Sequence, residues 1–286
     1  KQDGTAASVG RYVKENIAIG SNALTGGILG SGDDVIGNVA IGHNAMDSTS
    51  TNAQTGTIAI GASALTALTS GAGNVAVGYQ SLDAATDSDY NTAVGYGALS
   101  GVNASGTQGN TAMGYNAGLA ITSGLYNTLV GRASGLALIG GSANTFMGNY
   151  AGGNTTAAAN CVVIGYTAAN ANMTPDANGT VAIGHSALIA LTTGEKNTAV
   201  GYLSLGTDDG INNTAVGYEA LKANCGGYNT AVGTQALQAV TGAQNTAVGW
   251  DAGGSIIGGD NNVCIGSNSG DVITTGDGNT CLGDGT

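Results

Sequence analysis

Short runs of alternating residues return along the chain at a nearly fixed interval. Each begins with Asn, continues with Thr or Val, Ala, then Val or Ile, and closes on Gly, as in Asn197-Thr198-Ala199-Val200-Gly201 and Asn229-Thr230-Ala231-Val232-Gly233. Period-two alternation with β-branched residues predicts a strand of four to five residues. There are sixteen copies, anchored by glycines from Gly20 to Gly283. After first gaps of 22 and 19 residues the spacing is 16 to 19, most often 17. A short unit repeated at a fixed period stacks on its own copies. The expected fold is therefore all-β, a parallel β-solenoid or β-roll of about sixteen coils. At about 4.8 Å per rung it would measure roughly 75 Å. Residues 16–286 form this repeat domain, and the less repetitive residues 1–15 read as an N-terminal cap or junction.

Two positions of the phrase carry turn chemistry. The anchor glycine, among them Gly78, Gly95, Gly201, Gly217, Gly233 and Gly249, is invariant across the copies. It marks a corner with unusual φ and ψ, or a backbone approached too closely for a Cβ. The leading Asn occurs in thirteen copies, including Asn74, Asn91, Asn197, Asn213, Asn229 and Asn245, with Thr57, Cys161 and Thr180 in the others. Asn accepts left-handed turns and bonds to nearby backbone. Stacked in a column, its amides form a side-chain ladder. After the corner come Ala-Leu or Ser-Leu and often a further apolar residue, as in Ala187-Leu188 with Leu191. This return arm is either a second strand or a helical turn.

A thin coil does not easily enclose both faces of the strand. If Val and Ile are core, the Ala/Gly row becomes a long apolar stripe that would mediate side-by-side self-association. A second pattern points the other way. Where Ala becomes Leu129, Phe146 and Val163, the Leu position becomes Gly135, Gly152 and Ala169. Such compensation suits two columns sharing one core, which turns the Ala row inward.

Composition narrows the function. Charged residues are 8% of the chain and the net charge is −12, which argues against nucleic acid and anionic membrane as partners. No run of about twenty apolar residues is present to insert in a membrane. The four cysteines form no CxxC pair, so a zinc site is not indicated. Cys264 and Cys281 occupy the same place in successive copies, either as small buried residues or as a disulfide across two rungs.

The phrases Asn38-Val39-Ala40-Ile41-Gly42, Asn74-Val75-Ala76-Val77-Gly78 and Thr180-Val181-Ala182-Ile183-Gly184 resemble the repeats of trimeric autotransporter adhesin heads. The longer unit Thr241-Gly242-Ala243-Gln244-Asn245-Thr246-Ala247-Val248-Gly249 is more similar to repeat shafts of phage tail fibre proteins, many of which end in a self-cleaving chaperone domain. The likeness covers residues 16 to 283. It implies a homotrimer in an extracellular setting, on a virion tail or a cell surface. The function expected is a non-enzymatic structural fibre, a tail-fibre shaft for host attachment. A surface adhesin or self-assembling extracellular filament is the alternative, and a polysaccharide-binding or depolymerising fibre is a third class.

Enzyme chemistry finds little support. His43 and His185 lie eight copies apart, about 38 Å at one rung per copy. Acidic residues fall mostly in turns. Asp208, Asp209 and Asn212 are a weak calcium candidate, and no other cofactor is indicated. Aromatic residues follow the anchor glycine repeatedly, and Tyr202, Tyr218 and Trp250 are candidates for a surface that recognises a host glycan or protein. Packing on neighbouring coils or subunits is the other account of this aromatic column.

Overall fold

The computed structural model describes residues 13–26, 35–49, 54–207 and 209–286. The chain forms two compact units, Lys1–Ala143 and Asn144–Thr286. Every copy of the phrase supplies one three-residue strand, and each unit is a parallel β-solenoid. In the first unit the strands are Ile17–Ile19, Val39–Ile41, Ile58–Ile60, Val75–Val77, Thr92–Val94, Thr111–Met113 and Thr128–Val130. In the second they are Thr145–Met147, Val162–Ile164, Val181–Ile183, Thr198–Val200, Thr214–Val216, Thr230–Val232, Thr246–Val248, Val263–Ile265 and Thr280–Leu282.

Within a unit successive strands pair in parallel and without slippage, so Ala199 lies beside Ala215 and Ala215 beside Ala231. The expected cap at 1–15 lies outside the described residues except for 13–15. Val13–Lys14 already pairs with Val35–Ile36, which in turn pairs with Gln54–Thr55 as a second short ladder.

The glycine corner has both of the causes anticipated for it. Gly201 sits at φ +139°, and a Cβ there would lie 2.3 Å from the carbonyl oxygen of Gly217. No L side chain fits either condition.

The return arm is neither strand nor helix. Residues two and four places after the corner are left-handed, as Ser186 (φ 56°) and Leu188 (φ 50°) show, while the residues between them keep negative φ. The arm bonds to its neighbours on both sides: Ser186 N–H donates to Tyr166 O at 3.0 Å and Leu188 N–H to Ser204 O at 3.0 Å. A left-handed leucine costs roughly 1–2 kcal/mol. Its buried side chain returns about 2 kcal/mol, and Leu188, Leu205, Leu221 and Leu237 are all fully buried.

The Ala column faces inward. Ala182, Ala199, Ala215, Ala231 and Ala247 are fully buried, as are Leu129, Phe146 and Val163 where larger residues replace Ala. The Val/Ile column faces out instead, with Val216, Val232 and Val248 each 38–39% exposed. An exposed Ala/Gly stripe is thereby overturned. The reason is volume: a coil this small holds Ala opposite Leu, and has no room for Val opposite Leu. Compensation between the columns is direct. A Cβ on Gly152 would lie 2.5 Å from the Phe146 ring, and one on Gly270 would lie 2.4 Å from Cys264 Sγ.

The Asn column is fully buried in most coils, and its bonding differs from a simple amide ladder. Asn229 Oδ1 accepts the backbone N–H of Asn245 at 2.9 Å, and its Nδ2 donates to the carbonyls of Gly226 at 2.9 Å and Gly242 at 3.0 Å. The same side-chain-to-backbone link joins Asn74 to Asn91, Asn197 to Asn213 and Asn213 to Asn229. Amide-to-amide contacts occur as well, for example Asn245 Nδ2 to Asn229 Oδ1 at 3.2 Å. Asn229 thus satisfies the N–H that precedes the next strand and ties two successive turns together.

Two outcomes follow. Asn229→Ala leaves the buried Asn245 N–H without its acceptor and removes one of the two donors to the Gly242 carbonyl, and is expected to cost about 2 to 3 kcal/mol in urea denaturation, with faster hydrogen exchange at Asn245. Gly152→Leu alone is expected to cost more than about 3 kcal/mol by overpacking at a left-handed position. Combined with Phe146→Ala it should cost less than the sum of the two single changes by 1 kcal/mol or more, a coupling measured by a double-mutant cycle.

Candidate recognition surface

The residue after each anchor glycine points outward, and the aromatic ones stack ring on ring along the coils. In the first unit Tyr79 and Tyr96 stand 5.1 Å apart and Tyr96 and Tyr115 5.3 Å, at interplanar angles of 22° and 20°. The Arg132 guanidinium lies over the Tyr115 ring at 5.9 Å, a cation–π contact. In the second unit Tyr166, His185, Tyr202 and Tyr218 follow one another at 5.1 to 5.2 Å. Strand pairing sets this spacing. Tyr202 therefore has a ring against each face, while Tyr218 is stacked on one face only. Trp250 stands two coils beyond Tyr218, with Thr234 between them. All of these rings keep their edges open, with 41% exposure at Tyr202, 49% at Tyr218 and 53% at Trp250. His185 belongs to this column, with Ser186 Oγ 3.0 Å from its Nδ1.

A second outward set of tyrosines, absent from the sequence reading, stands five residues before the corner. Tyr90, Tyr126 and Tyr228 are each about 60% exposed and left-handed, with φ of 58° to 66°. Tyr90 lies across Gly73, and Tyr126 across Gly109, where a Cβ would meet the rings at 2.7 and 3.1 Å. For Tyr90 and Tyr126, a glycine in the same column one copy earlier was the available signal.

The acidic turn residues are connectors between coils. Asp209 accepts from Thr192 N at 2.6 Å, Thr192 Oγ1 at 2.9 Å and Thr193 N at 3.2 Å. Asp89 accepts from Ala72 N, Asp260 from Ala243 N and Asp277 from Asp260 N, at 2.7 to 2.8 Å. Of the calcium candidates, Asp208 lies outside the described residues. Asn212 is left-handed at φ 56° and donates its N–H to Glu195 O at 3.0 Å. Among the described residues no three His, Cys, Asp or Glu side chains gather as a metal site, and no helix is long and apolar enough to cross a membrane.

Beside the second aromatic column lies a small charged network. Glu219 Oε1 accepts from Lys222 Nζ at 2.8 Å and Oε2 from Gln238 Nε2 at 2.6 Å. The Lys222 hydrogen bond holds the Glu219 carboxyl below its usual range, and the same bond raises Lys222.

Cys264 and Cys281 are register partners on adjacent strands, and both thiols are free. Burial, and then the Cys281 thiol beside it, push Cys264 up to about 11. Relative to an ordinary value of 9.0, the thiolate fraction at pH 8 falls about a hundredfold. Iodoacetamide at pH 8 is therefore expected to modify Cys264 at least a hundredfold more slowly in the native protein than after denaturation, as read by peptide mass spectrometry.

No protein-family model, curated protein or solved structure matches the chain.

Proposed function

We propose that the chain is a non-enzymatic structural fibre, the repeat shaft of an extracellular appendage of the phage tail-fibre kind, serving host attachment. The observation that carries this is how the polar side chains are used. The buried Asn column and the turn acids are spent on bonds from one coil to the next, so the repeated chemistry serves stacking. The outward face of the strand is nearly free of charge and carries half-exposed Val and Ile.

Self-association, as a homotrimer in keeping with the resemblance, would use that Val/Ile column, since the Ala column is interior. A surface adhesin or an extracellular filament would use the same architecture. The shared Asn-Val-Ala-Ile-Gly phrasing favours the adhesin as the second reading.

Light scattering of the purified chain is expected to give three times the 27.5 kDa chain mass, and Val216→Glu with Val232→Glu to give the single-chain mass with an unchanged β spectrum. A monomeric parent chain would reject the lateral assembly. Antibody labelling in electron microscopy separates virion tails from cell surfaces.

A further inference from the structure

We propose that the break in the aromatic column at Thr234 is a binding slot for one neutral pyranose ring of a glycan. The slot lies wholly within the second unit. Four successive coils there place Tyr166, His185, Tyr202 and Tyr218 after the anchor glycine, and the next two place Thr234 and Trp250. Each of the first four rings has its neighbour at 5.1 to 5.2 Å. At Thr234 the column loses one ring and then resumes. Thr234 is exposed and short, so the second face of Tyr218 is left without a ring of the chain's own.

The strands carrying these residues pair in unbroken register, Val216 with Val232 and Val232 with Val248. Tyr218 and Trp250 are therefore separated by two strand spacings, about 9.6 Å. That is the space of one missing ring. Tyr202 shows that such an interval takes one ring, between His185 and Tyr218, and a saturated sugar ring presents C–H bonds on both faces, which suit the negative faces of aromatic rings.

The floor of the slot is fixed before any ligand arrives. Gln235 N–H donates to Tyr218 O at 2.8 Å, and Asp251 N–H donates to Thr234 O at 2.9 Å. A preformed site of this kind binds without the cost of ordering itself. Beside it, Gln238 Nε2, from the coil of Thr234, donates to Glu219 Oε2 in the coil of Tyr218 at 2.6 Å. Amides and a carboxylate next to ring faces suit the hydroxyls of a sugar. Glu219 is already paired with Lys222, and Asp251 together with the chain's net charge of −12 disfavours sialylated or phosphorylated sugars. The ligand is thus a neutral hexose unit.

Trp250 is the chain's single tryptophan, so its emission reports on the slot directly. Titration of the intact protein with maltohexaose, cellohexaose and chitohexaose is expected to give a saturable emission change with at least one of them, and none with a sialylated trisaccharide. Thr234→Tyr fills the gap at an exposed position, and is expected to weaken that binding at least tenfold while leaving the melting temperature within a few degrees. Tyr218→Ala, followed by calorimetry, is expected to do the same. Three results overturn the proposal: no emission change with any of the neutral hexasaccharides, full-strength binding in Thr234→Tyr, or preference for the sialylated sugar or for free indole. None of these bears on the oligomeric state, so the slot and the fibre assignment stand or fall separately.

Discussion

Stacking brings the backbones at each corner so close that a methyl group on the anchor glycine would lie 2.2 to 2.5 Å from the next coil's carbonyl oxygen. That approach dictates much of the remaining structure. It holds the strands in strict register, because any slip would set a side chain where only hydrogen fits. Register in turn places like residues beside like, which gives the Asn side chain a fixed N–H to accept from and the tyrosines a ring to stack upon. It also keeps the coil small, so the interior admits little more than Ala from the strand and Leu from the return arm.

The left-handed leucines show how this economy is met. A residue that rarely adopts positive φ does so in coil after coil, because the alternating arm is what turns its side chain inward while its N–H reaches the adjacent coil. Where the strand supplies a larger residue, the arm gives way to a smaller one, glycine at Gly135 and Gly152 and left-handed alanine at Ala169. Stability in such an array is a sum of coil and neighbour terms. A defect at Asn229 and one at Gly152 therefore weaken different stretches of the stack.

Period, strand, corner and parallel stacking were legible in the sequence because each is written in every copy. The facing of the strand was not. Alternation identifies two faces without saying which is inside, and the usual preference for burying Val and Ile misleads when the enclosed volume is too small for them. The exchange of Leu129, Phe146 and Val163 for Gly135, Gly152 and Ala169 was the one clue, and Phe146 against Gly152 shows what it meant. The work of Asp209 and Asp260 was hidden for another reason. Apart from the Thr192 hydroxyl, their partners are backbone N–H groups in the preceding coil, and a main-chain donor leaves no mark on residue identity. The aromatic column was visible, but its mutual stacking, and with it the distinction between a covered face at Tyr202 and an open one at Tyr218, required the coil geometry.

The variation in repeat length has its own meaning. The copy that ends at Gly184 is 19 residues long and takes up its extra length in the loop bearing the 3₁₀ turn Pro175–Ala177, while its strand Val181–Ile183 remains in register with both neighbours. Corners and strands are thus interchangeable between copies, and the loop tolerates whatever length a copy brings. For a gene encoding such a chain, unequal crossing-over between copies yields a protein that still closes its core, longer or shorter by one strand spacing of about 4.8 Å. Length becomes a heritable quantity counted in whole steps, adjustable without inventing any new contact.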